Sequence, residues 1–435
     1  MINYLDNLVF INLLIAAVVF FSLNVKRLKR NIYLGKKIDR TDQPKERLKN
    51  MLLIAFGQSR MVKRPIAGLL HVIVYVGFIV INLEVLEIII DGIVGTHRVF
   101  SFMGRFYQTL IGAFEILALL VLVSVIIFWT RRNIQKIKRF WNPEMKGWPK
   151  KDANMILYIE AVLMLLFLTM NAADFEFQLA GGGNVISSYL APIFAGFGSH
   201  NLHMIERTAW WLHIAGILYF LNYLYYSKHL HILLAFPNTY FANLKPYGKF
   251  SNLESVTKEV KLMLDPTIDP FAVAPSNENT TSEKFGASDV FDLNRIQLLN
   301  AYTCTECGRC TSVCPANITG KKLSPRKIMM DTRDRIEKIG RNMDRNGKFV
   351  PDNKTLLNDY ITPEEIWACT SCNACVEACP VNIDPLSIII DLRRYLVMEQ
   401  SAAPSDLNTM MANIENNGAP WPFNQQDRLN WKDNL

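Results

Sequence analysis

Apolar and polar positions divide this chain in two. Up to about residue 238, long apolar stretches alternate with short basic segments; beyond it the text turns mixed and polar. Five apolar stretches, roughly 5–25, 67–91, 107–130, 153–174 and 208–233, reach the ~20 residues that a helix needs to cross a hydrocarbon layer. So many in so short a length do not suit the core of a soluble protein, and the pattern predicts five membrane spans. The first stretch lacks the basic start and small-residue cleavage site of a signal peptide. In the second half, apolar residues recur at helical spacing in SPRKIMMDTRDRIEKIG and from Pro385 to Met398. The predicted fold is all-α: a five-helix transmembrane bundle followed by a helical soluble domain.

Charge orients the bundle. The net charge of +8 comes largely from two loops, one from Lys26 and Arg27 to Lys63 and Arg64, the other from Arg131 and Arg132 to Lys150 and Lys151. The opposite loops hold only Arg98, Arg105 and Arg207. Basic loops stay on the cytoplasmic side, so the N-terminus is expected outside and the C-terminus in the cytoplasm of an inner-membrane protein. The basic excess then needs no nucleic-acid partner. Arg47 to Met61 is expected to form an amphipathic helix on the membrane surface.

All eight cysteines fall into two copies of C-x2-C-x2-C-x3-C-P: Cys304, Cys307, Cys310 and Cys314 before Pro315, and Cys369, Cys372, Cys375 and Cys379 before Pro380. This is the bacterial ferredoxin run for two [4Fe–4S] clusters, in which the fourth cysteine of each run serves the other cluster. The expected sets are Cys304, Cys307, Cys310 with Cys379, and Cys369, Cys372, Cys375 with Cys314. Zinc sites prefer paired C-x2-C knuckles, and disulfide frameworks belong to oxidising compartments.

Histidines inside spans are the next chemical signal, because ionisable residues there are rare and functional. His71 lies near the start of the second span. His213 and His231 lie eighteen residues apart in the fifth, which on one unbroken helix is five turns, the same face and a separation of about 27 Å. His71 and His231 at similar depth form the expected bis-histidine pair for a haem. His229 falls about 160° round that helix from His213 and reads as an interfacial side chain beside Lys228. His213 has Ile81 at the matching depth of the second span, so its partner is open, with His97, His200 and His203 in the outer loops as alternatives. Glu84, Glu87 and Asp91 suit proton exchange with a quinone or the lining of a polar cavity.

The span text GLLHVIVYVGF and WWLH…SKHLH resembles the nitrate reductase gamma-subunit type of dihaem cytochrome b. That resemblance implies haem b ligation by His71 and His231, with His213 a ligand of a second haem whose fourth ligand would fall at Ile81. LNAYTCTECGRCTSVCPAN and IWACTSCNACVEACPVNIDP resemble the C subunit of heterodisulfide reductase. Together with FGQSRMVKRPIAGLLH and NNGAPWPFNQQDRLNW, they resemble membrane iron–sulfur oxidoreductases that link electron-transfer flavoprotein to menaquinone. Such proteins continue into a domain with CCG motifs, which this sequence does not contain. A separate polypeptide with CCG motifs is therefore an expected partner, beside electron-transfer flavoprotein or another cytoplasmic redox protein.

The expected organisation is a cytochrome b-like domain over 1–245, a linker over 246–297, a dicluster ferredoxin domain over 298–398 and a polar tail over 399–435 whose aromatics suit docking. The expected function is electron transfer between a cytoplasmic partner, two [4Fe–4S] clusters, haem b and menaquinone. A quinol-fed heterodisulfide or thiol reductase and a non-catalytic redox sensor or anchor are the alternatives.

Overall fold

A computed structural model describes residues 2–180, 183–267 and 284–434. The described residues form helices and turns with no named strand; Lys36 and Asn294 make an isolated parallel bridge. The first half holds α1 (Ile2–Ile32), α2 (Pro44–Met51), α3 (Pro65–Val94), α4 (Arg105–Asn133) and α5 (Trp148–Ala173), then α6 (Ser199–Tyr223) and α7 (His231–Tyr240). α1, α3, α4 and α5 are long and apolar enough to cross a membrane. Pro65 sits at the first turn of α3, where its missing N–H is not needed, and Gly95 ends the helix at φ 83°. α1, α3, α4, α5 and α6 pack in sequence, and α6 returns to α1, closing the ring.

Inside the ring Ile81, Ile88, Ile111, Phe114, Phe167, Trp210 and Ile214 make the apolar core. Leu8, Val19, Leu69, Leu83 and Ile126 point outward and exposed, the inside-out apolar surface a helix bundle presents to lipid. α2 runs into a wider turn over Leu52–Phe56 and exposes Leu48, Leu52, Leu53 and Phe56 on one side. Arg47, on its inner side, is buried and donates to the carbonyls of Ala242 at 2.9 Å and Tyr240 at 3.2 Å.

The fifth apolar stretch, expected as one helix over 208–233, is broken. α6 ends at Tyr223, tight turns occupy Leu224–Tyr226 and Lys228–Leu230, and Ser227 between them is extended at φ −113°, ψ 152°. The break is held by specific bonds. The Ser227 hydroxyl accepts from the His229 amide at 3.0 Å, and the buried Asp152 carboxylate accepts from the Lys228 amide at 3.1 Å and Tyr223 Oη at 2.7 Å. Side chains that complete backbone groups locally compete with a continuing helix, and the run of apolar letters does not reveal them.

The second half is built on α8 (Arg295–Thr303), α9 (Pro325–Asn346) and α10 (Pro385–Arg394). α8 starts with a reciprocal cap between Asn294 and Gln297. The stretch before it, read as linker up to residue 297, differs from that expectation from residue 284 onward. Ala287, Val290 and Leu293 are fully buried in the core of the cysteine domain, and Arg335 donates to Asp289 Oδ2 at 2.7 Å. Three apolar residues among Asp, Ser and Asn carry too weak a periodic signal to read as core. The core also takes in Leu28 of α1 and Leu230 from the broken segment. Gly340 on α9 lies so close to α1 that an added Cβ would stand 2.6 Å from the Asn31 amide. Asn31 Nδ2 in turn donates to Tyr302 Oη at 2.9 Å. The tail folds into Ser405–Asn417 and a turn over Gln425–Asn434, with Trp421, Phe423 and Trp431 exposed.

Candidate iron–sulfur and histidine site

The two cysteine runs fold alike, 65 residues apart. Glu306 (φ 55°) and Gly308 (φ 70°) flank Cys307 in the left-handed region; Ser371 (φ 56°) and Asn373 (φ 61°) flank Cys372 in the same way. Alternation of this kind curls a short loop so that its amides turn inward, the backbone form suited to an anionic cluster. The Ser371 amide donates to Cys369 Sγ at 3.4 Å and the Ile383 amide to Cys379 Sγ at 3.3 Å. A short helix lies within each run, Arg309–Ser312 in the first and Ala374–Ala378 in the second, and Pro315 opens another after the first.

Thiols of the two runs meet at one cavity. Cys379 has Cys307 and Cys304 as its thiol neighbours, and it acts in turn on Cys310. Cys314 is grouped with Cys369, Cys372 and Cys375. Cys304, Cys307, Cys310, Cys375 and Cys379 line one cavity, so Cys375 borders both groups. Among the described residues, no three of His, Cys, Asp or Glu are gathered as a single-ion site would need. Burial pushes the Cys304 thiol up to about 11 and the Cys379 thiol up to about 12. Thiols so placed stay protonated at neutral pH unless a bound cation holds them as thiolates; iron is such a cation.

The cysteine loops rest directly on the bundle. Arg309 donates to the carbonyls of Arg60 at 3.1 Å and Met61 at 3.0 Å. Arg60 donates to the Cys379 carbonyl at 3.4 Å. The buried Arg326 reaches the Arg139 carbonyl at 2.6 Å and Glu144 at 2.7 Å. Glu306, between Cys304 and Cys307, pairs with Lys228 of the broken segment and with Arg333 of α9 at 2.5 Å. Burial alone would raise the Glu306 carboxyl, but Lys228 and Arg333 hold it down at about 2.

Beyond this interface stand the histidines. The rings of His71 and His231 lie with centroids 6.3 Å apart and planes tilted by 42°. His231 Nδ1 donates to the Lys228 carbonyl at 3.0 Å, and a carbonyl only accepts, so Nε2 keeps its lone pair. His71 Nδ1 is buried without a partner. His229 departs from its expected place beside lipid and water. The break at Ser227 turns it inward, with its ring 5.5 Å from that of His231 and Nε2 3.6 Å from Glu160 Oε1. The separation of about 160° from His213 holds only on an unbroken helix, and the break at Ser227 removes it.

His213 is buried, and its Nδ1 donates to the Leu163 carbonyl at 3.0 Å. It lines a cavity of about 100 Å³ together with Ile81, Val74, Gly77 and Glu160, and no second histidine lines that cavity. The outer-loop histidines do not fold back to it: His97 pairs with Asp174 at 3.3 Å, His203 lies 3.9 Å from Glu206, and His200 is exposed. Glu160, which sequence reasoning did not single out, was detectable as a carboxylate inside an apolar stretch.

Residues 303–383 match the family described as 4Fe-4S dicluster domain. Over 96% of its length the chain is 31% identical to "Probable iron-sulfur-binding oxidoreductase FadF" of Bacillus subtilis. It is 26% identical over 98% of its length to "EtfAB:quinone oxidoreductase" of Syntrophomonas wolfei. The chain spans 59% of the length of each of these relatives. The cysteine region, 27% of the chain, is 29% identical to the C subunit of the ferredoxin/F(420)H(2)-dependent CoB-CoM heterodisulfide reductase of Methanosarcina acetivorans, covering 60% of that protein. No solved structure matches the chain. The chain is thus similar along nearly its whole length to iron–sulfur oxidoreductases, with a dicluster part like the C subunit of heterodisulfide reductase.

Proposed function

We propose that this chain is the membrane electron-transfer part of a quinone-linked oxidoreductase, passing electrons between a redox protein on the cysteine side and a quinone in the bilayer. The observation that carries the reading is the contact of the cysteine loops with the bundle end that holds His71 and His231. Arg309 of the first run bonds to the carbonyls of Arg60 and Met61, just before the helix that carries His71. The clusters and a haem, when bound, each take up and release single electrons. Cys304, Cys307, Cys310 and Cys379 would hold one cluster, and Cys369, Cys372, Cys375 and Cys314 the other.

A single haem b between His71 and His231 fits the side chains. An ion bonded to two imidazoles at about 2 Å each sets the ring centroids roughly 6 Å apart, and the observed separation is 6.3 Å. The Lys228 carbonyl fixes the tautomer of His231, the outer support that haem and metal ligands use. A second haem does not fit in the same way, because position 81, which faces the His213 cavity, is isoleucine. The likeness to a quinone oxidoreductase supports a quinone as the proposed electron acceptor, with electron-transfer flavoprotein as the proposed donor. The basic loops support an inner-membrane bundle with the cysteine domain on the cytoplasmic side.

A heterodisulfide-type reductase is the second reading, favoured by the likeness of the cysteine region to part of a heterodisulfide reductase. Reduced-minus-oxidised spectra of the purified membrane protein, with haem and iron quantified, test the cofactors. Reduction by electron-transfer flavoprotein with a menaquinone analogue as acceptor tests the function. No haem b band sinks the cytochrome reading. Electron passage to a disulfide in place of the quinone favours the second.

A further inference from the structure

At the end of the bundle remote from the cysteines, a polar network lies between the helices. Arg98, in the turn after α3, donates to Asp174 Oδ2 at 3.0 Å and to Asn171 Oδ1 at 3.0 Å. Its Nη1 donates to Tyr107 Oη at 3.4 Å, and that hydroxyl donates to Glu87 Oε2 at 3.0 Å. His97 Nε2 stands 3.3 Å from Asp174 Oδ2, and its side chain is 47% exposed, so the network reaches the surface. Glu115 is fully buried and accepts from Asn171 Nδ2 at 3.0 Å and from the amides of Ile186 and Ser187.

Glu84 breaks this pattern of completion. It is 4% exposed, and its Oε2 has no hydrogen-bond partner. The charged groups facing it are Arg98 from the turn, Glu87 on its own helix and Glu115 on α4. An incomplete carboxyl buried among apolar helices costs stability, and a group of this kind inside a membrane bundle marks a functional path.

Helix geometry connects Glu84 to the His213 cavity. At about 100° per residue, Gly77, Ile81 and Glu84 share one face of α3, and Glu84 lies about 4.5 Å along the axis beyond Ile81. Gly77 and Ile81 line the cavity. Its walls are apolar apart from His213, Glu160 and Asn82, a small-molecule site with few, convergent polar groups. Because His213 Nδ1 donates to Leu163, Nε2 is free to accept from a hydroxyl. Glu160 joins the cavity to His229 and so to His231.

We propose that this cavity takes the headgroup of a quinone, and that Glu84, Glu87, Tyr107, Asp174 and His97 carry its protons to the membrane face opposite the cysteines. The proposal rests on the quinone reading above. A quinone in the cavity becomes quinol by gaining two electrons and two protons. The electrons come from the cluster side and its redox partner, and the acidic chain delivers a proton to each oxygen. In reverse, the direction the test uses, a quinol gives two electrons to the cluster side and its two protons to the same chain.

The test uses the full chain with its clusters loaded, in liposomes sorted by the orientation of the cysteine domain, with menadiol as probe. Rapid mixing follows reduction of the clusters while pH dyes on both sides follow the protons. Wild-type protein is expected to reduce its clusters and acidify the face opposite them. Glu84→Gln is expected to slow that reduction roughly tenfold or more with an unchanged resting cluster spectrum, and Glu84→Asp to restore part of the rate. Tyr107→Phe, which keeps the ring, reads the same chain should Glu84→Gln fail to assemble. A wild-type protein inert to menadiol, and whose reduced clusters are inert to menadione, removes the quinone reading and this proposal with it. A reactive wild type whose assembled variant is equally fast, or which acidifies the cluster side, overturns the proton chain and leaves the quinone reading standing.

Discussion

The Lys228 ammonium and the Glu306 carboxylate form a buried ion pair that joins the broken fifth segment to the loop between Cys304 and Cys307. The Lys228 carbonyl also accepts from His231 Nδ1. One residue therefore touches both the histidine pair and the first cysteine run. Removing Glu306 leaves Lys228 and Arg333 without their shared counter-charge, and breaking a buried pair from one side costs about 3–5 kcal/mol. Glu306→Ala is expected to lower the thermal unfolding midpoint sharply in detergent. Replacement with no change in midpoint would contradict a buried ion pair here.

The same carboxylate predicts a pH dependence. Its folded pKa, about 2, lies below the unfolded value of about 4.3. Between those values the unfolded chain binds more protons, so stability rises with pH. The contribution is present above about pH 4.3 and is lost as pH falls toward 2. Chemical unfolding across this window, compared with Glu306→Gln, is expected to show a shallower pH slope in the variant.

The meeting of thiols from the two runs makes a prediction about pairs. Cys379→Ser is expected to remove the same cluster signal in electron paramagnetic resonance as Cys304→Ser, and Cys314→Ser the same signal as Cys369→Ser. If Cys379→Ser instead matched Cys369→Ser, each run would close on itself.

For the histidines, His71→Ala and His231→Ala are each expected to abolish the haem b band. His213→Ala is expected to retain it. His229→Ala is expected to keep the band, because its ring neighbours His231 without being the ring that faces His71. Pyridine haemochrome quantification on each variant checks the set, and two haems in the wild type would return His213 to the ligands.

Gly340→Leu probes the contact between the halves. A side chain at this position meets Asn31, which bonds to Tyr302. Overpacking costs about 1–3 kcal/mol, so the variant is expected to unfold at lower denaturant and to expose α9 to protease. An unchanged profile would mean that α1 and α9 do not approach closely in solution.

Local pattern carried a large part of this protein. Apolar length marked α1, α3, α4 and α5, because a spanning helix must be apolar over its whole length. Cysteine spacing marked the dicluster domain, because a tight loop can present three thiolates to one cluster while the fourth comes from elsewhere. Even the register of Ile81 opposite His213 was legible from counting turns. What composition hides is decided by bonds between distant segments. Asp152 and Ser227 end α6 early and turn His229 inward, whereas the letters of 208–233 read as one helix. Asp289, paired with Arg335, lies beside residues that resemble a linker in sequence and belong to the core in space. Periodicity reports burial along one element. Caps, ion pairs and a cavity shared by His213, Ile81 and Glu160 arise only when separate elements meet, and those meetings decided where the chemistry of this chain is placed.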